Sequence, residues 1–155
     1  MAFQVKPLSA SQFSYLSGLT ADELAARGIR KVIADVSPGF PCRVSLEDAA
    51  VGETLYLLNF AHHDEDTPYR SSHAIFVREN AEQARPAVDE LPDVLTSRLI
   101  SIRAFDHAHD MVGADVVAGR DLREAITAMF ENAEVAYLHL HNAKPGCFAA
   151  RVDRA

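Results

Sequence analysis

The sequence predicts an α+β fold, a single domain over residues 1–155 with a mixed, mostly antiparallel sheet and a few packed helices. The length of 155 residues is that of one domain, and an apolar fraction of 48% is enough to bury a core. Strand-like and helix-like segments follow each other irregularly, without the steady β-α alternation of a parallel sheet. No repeat or low-complexity linker divides the chain.

Three segments carry helix signals. Thr20 and Glu23 form a capping box, in which the Thr20 hydroxyl accepts the Glu23 amide and the Glu23 carboxylate reaches back, so we predict a helix over about 21–27. Residues 122–131 place apolar side chains at i, i+3, i+4, i+7 and i+8, which is the stripe of an amphipathic helix. Pro92 is suited to begin a third, shorter helix.

The remaining apolar segments are predicted to be strands. Residues 54–60 are apolar on both faces, which indicates a central strand, and residues 111–117 are expected to pair with 99–105 through a tight turn. Strands are predicted at 3–8, 29–36, 54–60, 72–78, 99–105, 111–117, 135–142 and 147–152. The predicted core consists of Val32, Ile33, Leu55, Leu57, Leu58, Ile75, Val77, Ile100, Ile102, Ile126, Phe130, Leu138 and Leu140.

Charge and composition exclude several classes of protein. The net charge is −7 and no basic run is present, which disfavours nucleic acid as a partner. No apolar run approaches the roughly 20 residues of a membrane helix, and the first residues lack the pattern of an export signal. Two cysteines do not make a disulfide framework, so we expect free thiols and a cytoplasmic location.

His139 and His141 are the first candidates for chemistry. On a strand they face one side, opposite Leu138 and Leu140, about 6.5–7 Å apart. Two imidazoles at that spacing can flank a substrate or share a metal, but no nearby carboxylate completes a ligand set, so no metal is predicted. The alternative is a solvent-facing or hydrogen-bonded pair on a half-buried sheet.

The turn after these histidines is a second candidate. Lys144 and the free amides around Gly146 can hold an anion, and Cys147 follows directly. The alternative is a plain hairpin turn in which Cys147 packs as a small apolar residue.

A cysteine beside an arginine, Cys42 with Arg43, is the setting in which a thiol becomes a nucleophile, for which a histidine elsewhere can be the base. The alternative is a buried, inert thiol. Arg70 and His73, at the start of a strand, suit an anionic ligand, and the alternative there is a loop held by its own hydrogen bonds. The other histidines, in the segment 62–66 and at 107 and 109, are predicted to be solvated surface.

Three segments carry a family resemblance. They are Gly39-Phe40-Pro41-Cys42-Arg43, Tyr69-Arg70-Ser71-Ser72-His73-Ala74-Ile75-Phe76-Val77, and His139-Leu140-His141-Asn142-Ala143-Lys144-Pro145-Gly146-Cys147. Over nearly its full length the chain resembles a bacterial family of short proteins, domain of unknown function family 1203. The resemblance implies a bacterial protein that stands alone as one domain, and it implies no activity, cofactor or catalytic residue.

We therefore predict one site on one face of the sheet. It unites Cys42, Arg43, Arg70, His73, His139, His141 and Cys147. In it an arginine holds a carboxylate or phosphate, a histidine moves a proton and Cys42 is the nucleophile or a bystander. The predicted function is binding of an anionic small molecule or catalysis on one. The alternative is a non-catalytic interaction module that uses its sheet edge or surface.

Overall fold

A computed structural model describes all 155 residues. Its strands are β1 (Phe3–Lys6), β2 (Arg30–Ile33), β3 (Thr54–His63), β4 (Ser71–Arg78), β5 (Leu99–Phe105), β6 (Met111–Ala118), β7 (Tyr137–Asn142) and β8 (Phe148–Arg154). Its α-helices are α1 (Ala21–Ala26), α2 (Asp93–Thr96) and α3 (Leu122–Glu131). None of the helices has both the length and the apolar composition that crossing a membrane requires.

The chain forms two compact units. The first unit contains Met1–Lys6, Ala61–His73 and Arg85–Ala155, and the second contains Pro7–Phe60 and Ala74–Ala84.

The first unit is built on a five-stranded sheet in the order β1-β8-β7-β5-β6, in which every pairing is antiparallel. Helix α3 packs on β5 and β6. The apolar stripe predicted for α3 is real, because its Ile126 and Phe130 are buried. Leu138 and Leu140 of β7 are fully buried as well. One face of the sheet is therefore mainly apolar, and the alternating residues of its strands form a second face.

The second unit contains α1, and the three-stranded sheet has the order β2-β3-β4. The β3 strand is central, as its apolar composition predicts. Helix α1 begins at the predicted capping box, in which Thr20 Oγ1 accepts the Glu23 amide at 3.2 Å and the Glu23 carboxylate accepts the Thr20 amide at 2.8 Å. The larger of two buried apolar clusters in this unit contains Phe13, Leu16, Leu24, Ile29, Cys42, Val44, Tyr56, Leu58, Ile75 and Val77, and the smaller contains Ala34, Ala49 and Leu55.

The α+β class and the antiparallel pairing are confirmed; the only parallel contact is an isolated bridge between Cys42 and Phe76. One core assignment is wrong. Ile33 is 66% exposed, because it alternates with Val32, which packs against the buried Leu55, and therefore points to the other, uncovered face of β2. Leu57 and Val32 are half-buried, and the other predicted core residues are buried. The assignment of residues 1–155 to one domain stays a prediction.

Candidate functional site

The second face of β7, in the first unit, carries Tyr137, His139 and His141. The alternative interpretation of the two histidines places them on a half-buried sheet, but every residue of β7 is buried. His139 is 4% exposed and His141 is 1% exposed. The solvent-facing alternative for the two histidines is therefore wrong, because the face opposite Leu138 and Leu140 is covered as well.

Buried ring nitrogens on this face lack partners. His141 Nδ1 donates to the Gly146 carbonyl at 3.0 Å, which leaves Nε2 as the unprotonated nitrogen of the neutral ring. His141 Nε2, His139 Nδ1 and Asn142 Oδ1 are all buried with no hydrogen-bond partner. Leaving such an atom unsatisfied costs about 1–3 kcal/mol, so this concentration of them on one strand calls for a functional explanation.

Both imidazoles are neutral at neutral pH. Burial, together with smaller effects of the nearby rings of His141 and His63, lowers the pKa of His139 to about 2. Burial also lowers the pKa of His141 to about 3, against a smaller raising effect of its hydrogen bond to Gly146. Neither ring can supply positive charge in the folded protein unless a bound anion stabilises its protonated form.

Positive charge comes instead from two arginines that flank His139. In the strand register Arg103 of β5 lies opposite His139 on one side, and Arg151 of β8 lies opposite it on the other. Directly opposed residues share a face of the sheet. The alternation of residues 99–105 already places Arg103 on the face opposite Ile100 and Ile102, but the sequence interpretation did not use this signal.

The two arginines differ in how their charge is compensated. Arg151 forms an ion pair with Asp153 at 2.6 Å and lies over the Tyr137 ring at 4.0 Å from its centre. Arg103 is half-buried, donates from Nε to Ser101 Oγ at 3.4 Å and has no ion-pair partner. Burial lowers its pKa. Arg103 is therefore the cation on this face that is available to an anion.

The end of β3 adds two more rings to the first unit. His62 stacks on Phe148, with ring centres 5.5 Å apart, and its ring centre is 4.8 Å from that of His141. His63 stacks on Phe105 at 4.3 Å and is buried. The prediction that both histidines belong to a solvated loop is wrong, because β3 continues to His63 instead of ending at residue 60.

The turn between β7 and β8 brings further predicted residues to the same place. His73 Nε2 lies 4.0 Å from where a Cβ on Gly146 would be, and the charge of His73 contributes to the lowered pKa of His141. Cys147 is buried and its Sγ accepts from Asn142 Nδ2 at 3.6 Å. Lys144 is exposed on the turn.

Arg70 is engaged within its own loop. Its side chain is 55% exposed, lies 3.6 Å from Asp64 and 3.9 Å from Asp66, and donates to the Glu65 carbonyl at 2.9 Å. The loop thus compensates the charge of Arg70 with two exposed carboxylates.

Cys42 and Arg43 belong to the second unit. Cys42 is a buried free thiol whose Sγ accepts from the backbone amides of Ser45, at 3.4 Å, and Arg78, at 3.3 Å. Arg43 is buried and donates to the Pro41 carbonyl. The convergence of these two residues with the histidines of the first unit stays a prediction.

No group of three or more histidine, cysteine, aspartate or glutamate side chains has the arrangement needed to hold a metal ion.

Comparison with known proteins adds one positive result. The family described as "Protein of unknown function (DUF1203)" matches residues 39–154, a span that includes all three segments that carry the resemblance. No curated protein and no solved structure matches the chain.

Proposed function

We propose that this chain, which belongs to the DUF1203 family, binds a small anion that also carries a hydroxyl group, such as hydrogen phosphate or a hydroxycarboxylate. The binding surface is the polar face of β5, β7 and β8 in the first unit. The observation that carries the proposal is the half-buried Arg103, without an ion-pair partner, opposite the buried His139, whose Nδ1 has no hydrogen-bond partner.

The requirement for an anion comes from Arg103. A guanidinium that is partly withdrawn from water loses solvation, and a carboxylate or phosphate ligand restores it through two parallel hydrogen bonds. Arg151 adds positive potential from the neighbouring strand, on the other side of His139. A cation or a purely apolar ligand would not compensate the positive charge of Arg103 and Arg151 on this face.

The requirement for a hydroxyl group comes from an acceptor atom. His141 Nε2 is an acceptor, because Nδ1 of the same ring donates to Gly146, and it is buried without a hydrogen-bond partner. A fully deprotonated anion offers acceptors alone. Hydrogen phosphate and hydroxycarboxylates bring both the negative charge for Arg103 and an O–H donor for His141 Nε2.

An enzymatic role is compatible with the same residues. A neutral histidine with a free nitrogen, such as His139, can take a proton from a ligand hydroxyl once bound negative charge stabilises the imidazolium. We include Cys42 as a candidate nucleophile or bystander, with Arg43, Arg70, His73, Lys144 and Cys147 as candidate ligand residues. The two buried free cysteines support a cytoplasmic location, since a reducing compartment preserves thiols.

Titration calorimetry with inorganic phosphate tests the proposal, and sulfate is the matched probe because it has the same shape and no hydroxyl at neutral pH. We expect phosphate to bind and sulfate to bind at least ~10-fold more weakly, since an unmet buried acceptor costs ~1–3 kcal/mol. Arg103→Gln should weaken phosphate binding ~10- to 100-fold through loss of a charge-assisted bond.

Arg120→Gln is the matched control, because Arg120 is exposed and contacts only its neighbour Asp121. Equal phosphate affinity in the Arg103 and Arg120 variants would refute the ligand role of Arg103. If Arg43→Ala and Arg70→Ala bind phosphate with unchanged affinity, these two arginines are not ligand residues.

The alternative function, an interaction module, is favoured by the edge strand β6. Val112 and Val116 are exposed there, and Asp115 is the only charged residue of the strand. Long apolar edges invite pairing with another chain. Asp115 Oδ1 accepts the Val116 amide at 2.7 Å, which blocks one pairing position. Sedimentation of the protein and of Val116→Lys would show whether this edge associates.

A further inference from the structure

A chain of three polar side chains runs from solvent to the interior of the first unit. The Tyr137 hydroxyl and His109 Nδ1 share a hydrogen bond of 2.7 Å, and His109 Nε2 lies 3.7 Å from the Glu65 carboxylate. Tyr137 is 4% exposed, whereas the His109 and Glu65 side chains are 38% and 46% exposed. The order carboxylate, imidazole, hydroxyl is that of a catalytic triad.

His109 is held rigidly in an unusual conformation. Its φ is +67°, in the left-handed region that only a few per cent of residues other than glycine adopt, with asparagine, aspartate and histidine enriched among them. Its carbonyl accepts from His63 Nε2 at 3.0 Å and lies 3.4 Å from Thr67 Oγ1. Asp106 Oδ1 accepts two amides of the same turn, those of Ala108 and Asp110. Such over-determined strain is characteristic of functional positions.

We propose that Tyr137 is a nucleophile toward small acyl esters, with His109 as its general base and Glu65 as the positioning residue of that base. This second function requires neither Arg103 nor His141, and it shares with the proposed anion site only the positive charge of Arg151.

The contacts define the proton positions that the reaction needs. With the Glu65 carboxylate beside Nε2, that nitrogen carries the proton of the neutral ring, and Nδ1 accepts the Tyr137 hydroxyl. When the Tyr137 oxygen attacks an ester carbonyl, the new O–C bond forms and the hydroxyl proton passes to His109 Nδ1. The ester C–O bond breaks, and His109 gives the proton it took from Tyr137 to the departing alkoxide, so that the alcohol leaves neutral and the imidazole is free again. While it is protonated, the imidazolium is stabilised by Glu65. His109 then takes a proton from water, the hydroxide forms the new O–C bond of the acid, the acyl–Tyr137 bond breaks, and the same proton returns to the Tyr137 oxygen.

The surroundings of Tyr137 make the base necessary. Burial raises the pKa of Tyr137 to about 12, so its hydroxyl is protonated at neutral pH and reacts only if a base accepts the proton during attack. The Arg151 guanidinium, 4.0 Å from the ring centre, supplies positive charge for the developing phenolate. Tyr15 and Tyr69 are exposed and have no such base, which makes them internal comparators.

The test is acetylation by 4-nitrophenyl acetate, an ester small enough for a residue as buried as Tyr137, followed by peptide mass spectrometry. We expect Tyr137 to be acetylated faster than Tyr15 and Tyr69, despite being the least exposed of the three. His109→Asn should slow Tyr137 acetylation by at least ~100-fold, which is the low end of general-base catalysis, and leave Tyr15 and Tyr69 unchanged. Asparagine suits this variant because it tolerates positive φ.

His107→Asn is the matched control, since His107 is an exposed histidine of the same turn. Glu65→Gln keeps the side-chain shape at an exposed site, and we expect it to lower the Tyr137 rate and to shift the ¹⁵N signals of the His109 ring toward the other tautomer. Absence of acetyl-Tyr137, acetylation of His109 itself, or equal rates in the His109 and His107 variants would overturn the proposal. If His109→Asn does not fold, an unchanged Tyr137 rate in Glu65→Gln together with unshifted ring signals would overturn it.

Discussion

Arg103 and His139 face each other across β5 and β7, and each brings an uncompensated group to the contact. The guanidinium of Arg103 has no carboxylate partner, and His139 Nδ1 has no hydrogen bond. Burial disfavours the charged form of both side chains. This pair therefore destabilises the folded protein when no ligand is bound. Residues arranged to bind a ligand often lower the stability of the free protein in this way.

Arg103→Met is accordingly expected to stabilise the protein. Replacing a partly buried, unpaired cation with an apolar side chain of similar length removes the desolvation cost and keeps the packing. We expect about 1 kcal/mol of added stability, or a rise of about 2–4 °C in Tm for a chain of this size, measured by thermal unfolding without phosphate. Arg120→Met, at an exposed site, should leave Tm unchanged. A loss of stability in Arg103→Met would mean that the contacts of the guanidinium contribute more to stability than its partial burial costs.

Acid should destabilise the protein through His139 and His141. The unfolded chain binds protons at these residues below about pH 6.5, whereas the folded pKa values are about 2 and about 3. The unfolded state thus holds more protons throughout this window, so stability is greatest above pH 6.5 and falls as the pH decreases. Each histidine contributes a slope of about 1.4 kcal/mol per pH unit.

Urea unfolding between pH 7.5 and 4.5 measures that slope. His139→Phe keeps a buried ring without a titrating group, and we expect it to reduce the slope by the contribution of one histidine. His107→Asn, in an exposed turn, should leave the slope unchanged. A slope unaffected by His139→Phe would show that this imidazole titrates equally in both states.

Gly119→Ala should be strongly destabilising. The glycine precedes α3, and its amide donates to the Arg98 carbonyl at 2.7 Å. A Cβ at this position would overlap the backbone oxygens of Thr96 and Leu95, which cannot move without displacing α2. We expect a loss of about 2–3 kcal/mol in the free energy of unfolding, measured with urea.

Gly18→Ala is the matched substitution, because nothing lies within 4 Å of a Cβ built on Gly18. It should change the stability by less than about 1 kcal/mol. Similar losses in the two variants would contradict the steric explanation for Gly119.

Local patterns in the sequence determined most of the secondary structure. The capping box of Thr20 and Glu23 marks the start of α1, and the apolar stripe of 122–131 is the buried side of α3. The alternation of residues 137–142 places His139 and His141 on the face opposite Leu138 and Leu140. These features follow from interactions over one to eight residues, which depend on helix and strand periodicity alone.

The tertiary structure alone decided which of these residues meet. Arg103 lies opposite His139 because β5 pairs with β7 in a particular register, and a shift of one residue would send either side chain to the apolar face. Ile33 is exposed because it lies on the uncovered face of β2, and His63 is buried because β3 continues beyond residue 60. The triad of Glu65, His109 and Tyr137 joins segments up to 72 residues apart in number. Such contacts are set by the packing of whole sheets, which is a cooperative property of the folded chain and leaves no trace in the spacing of neighbouring residues.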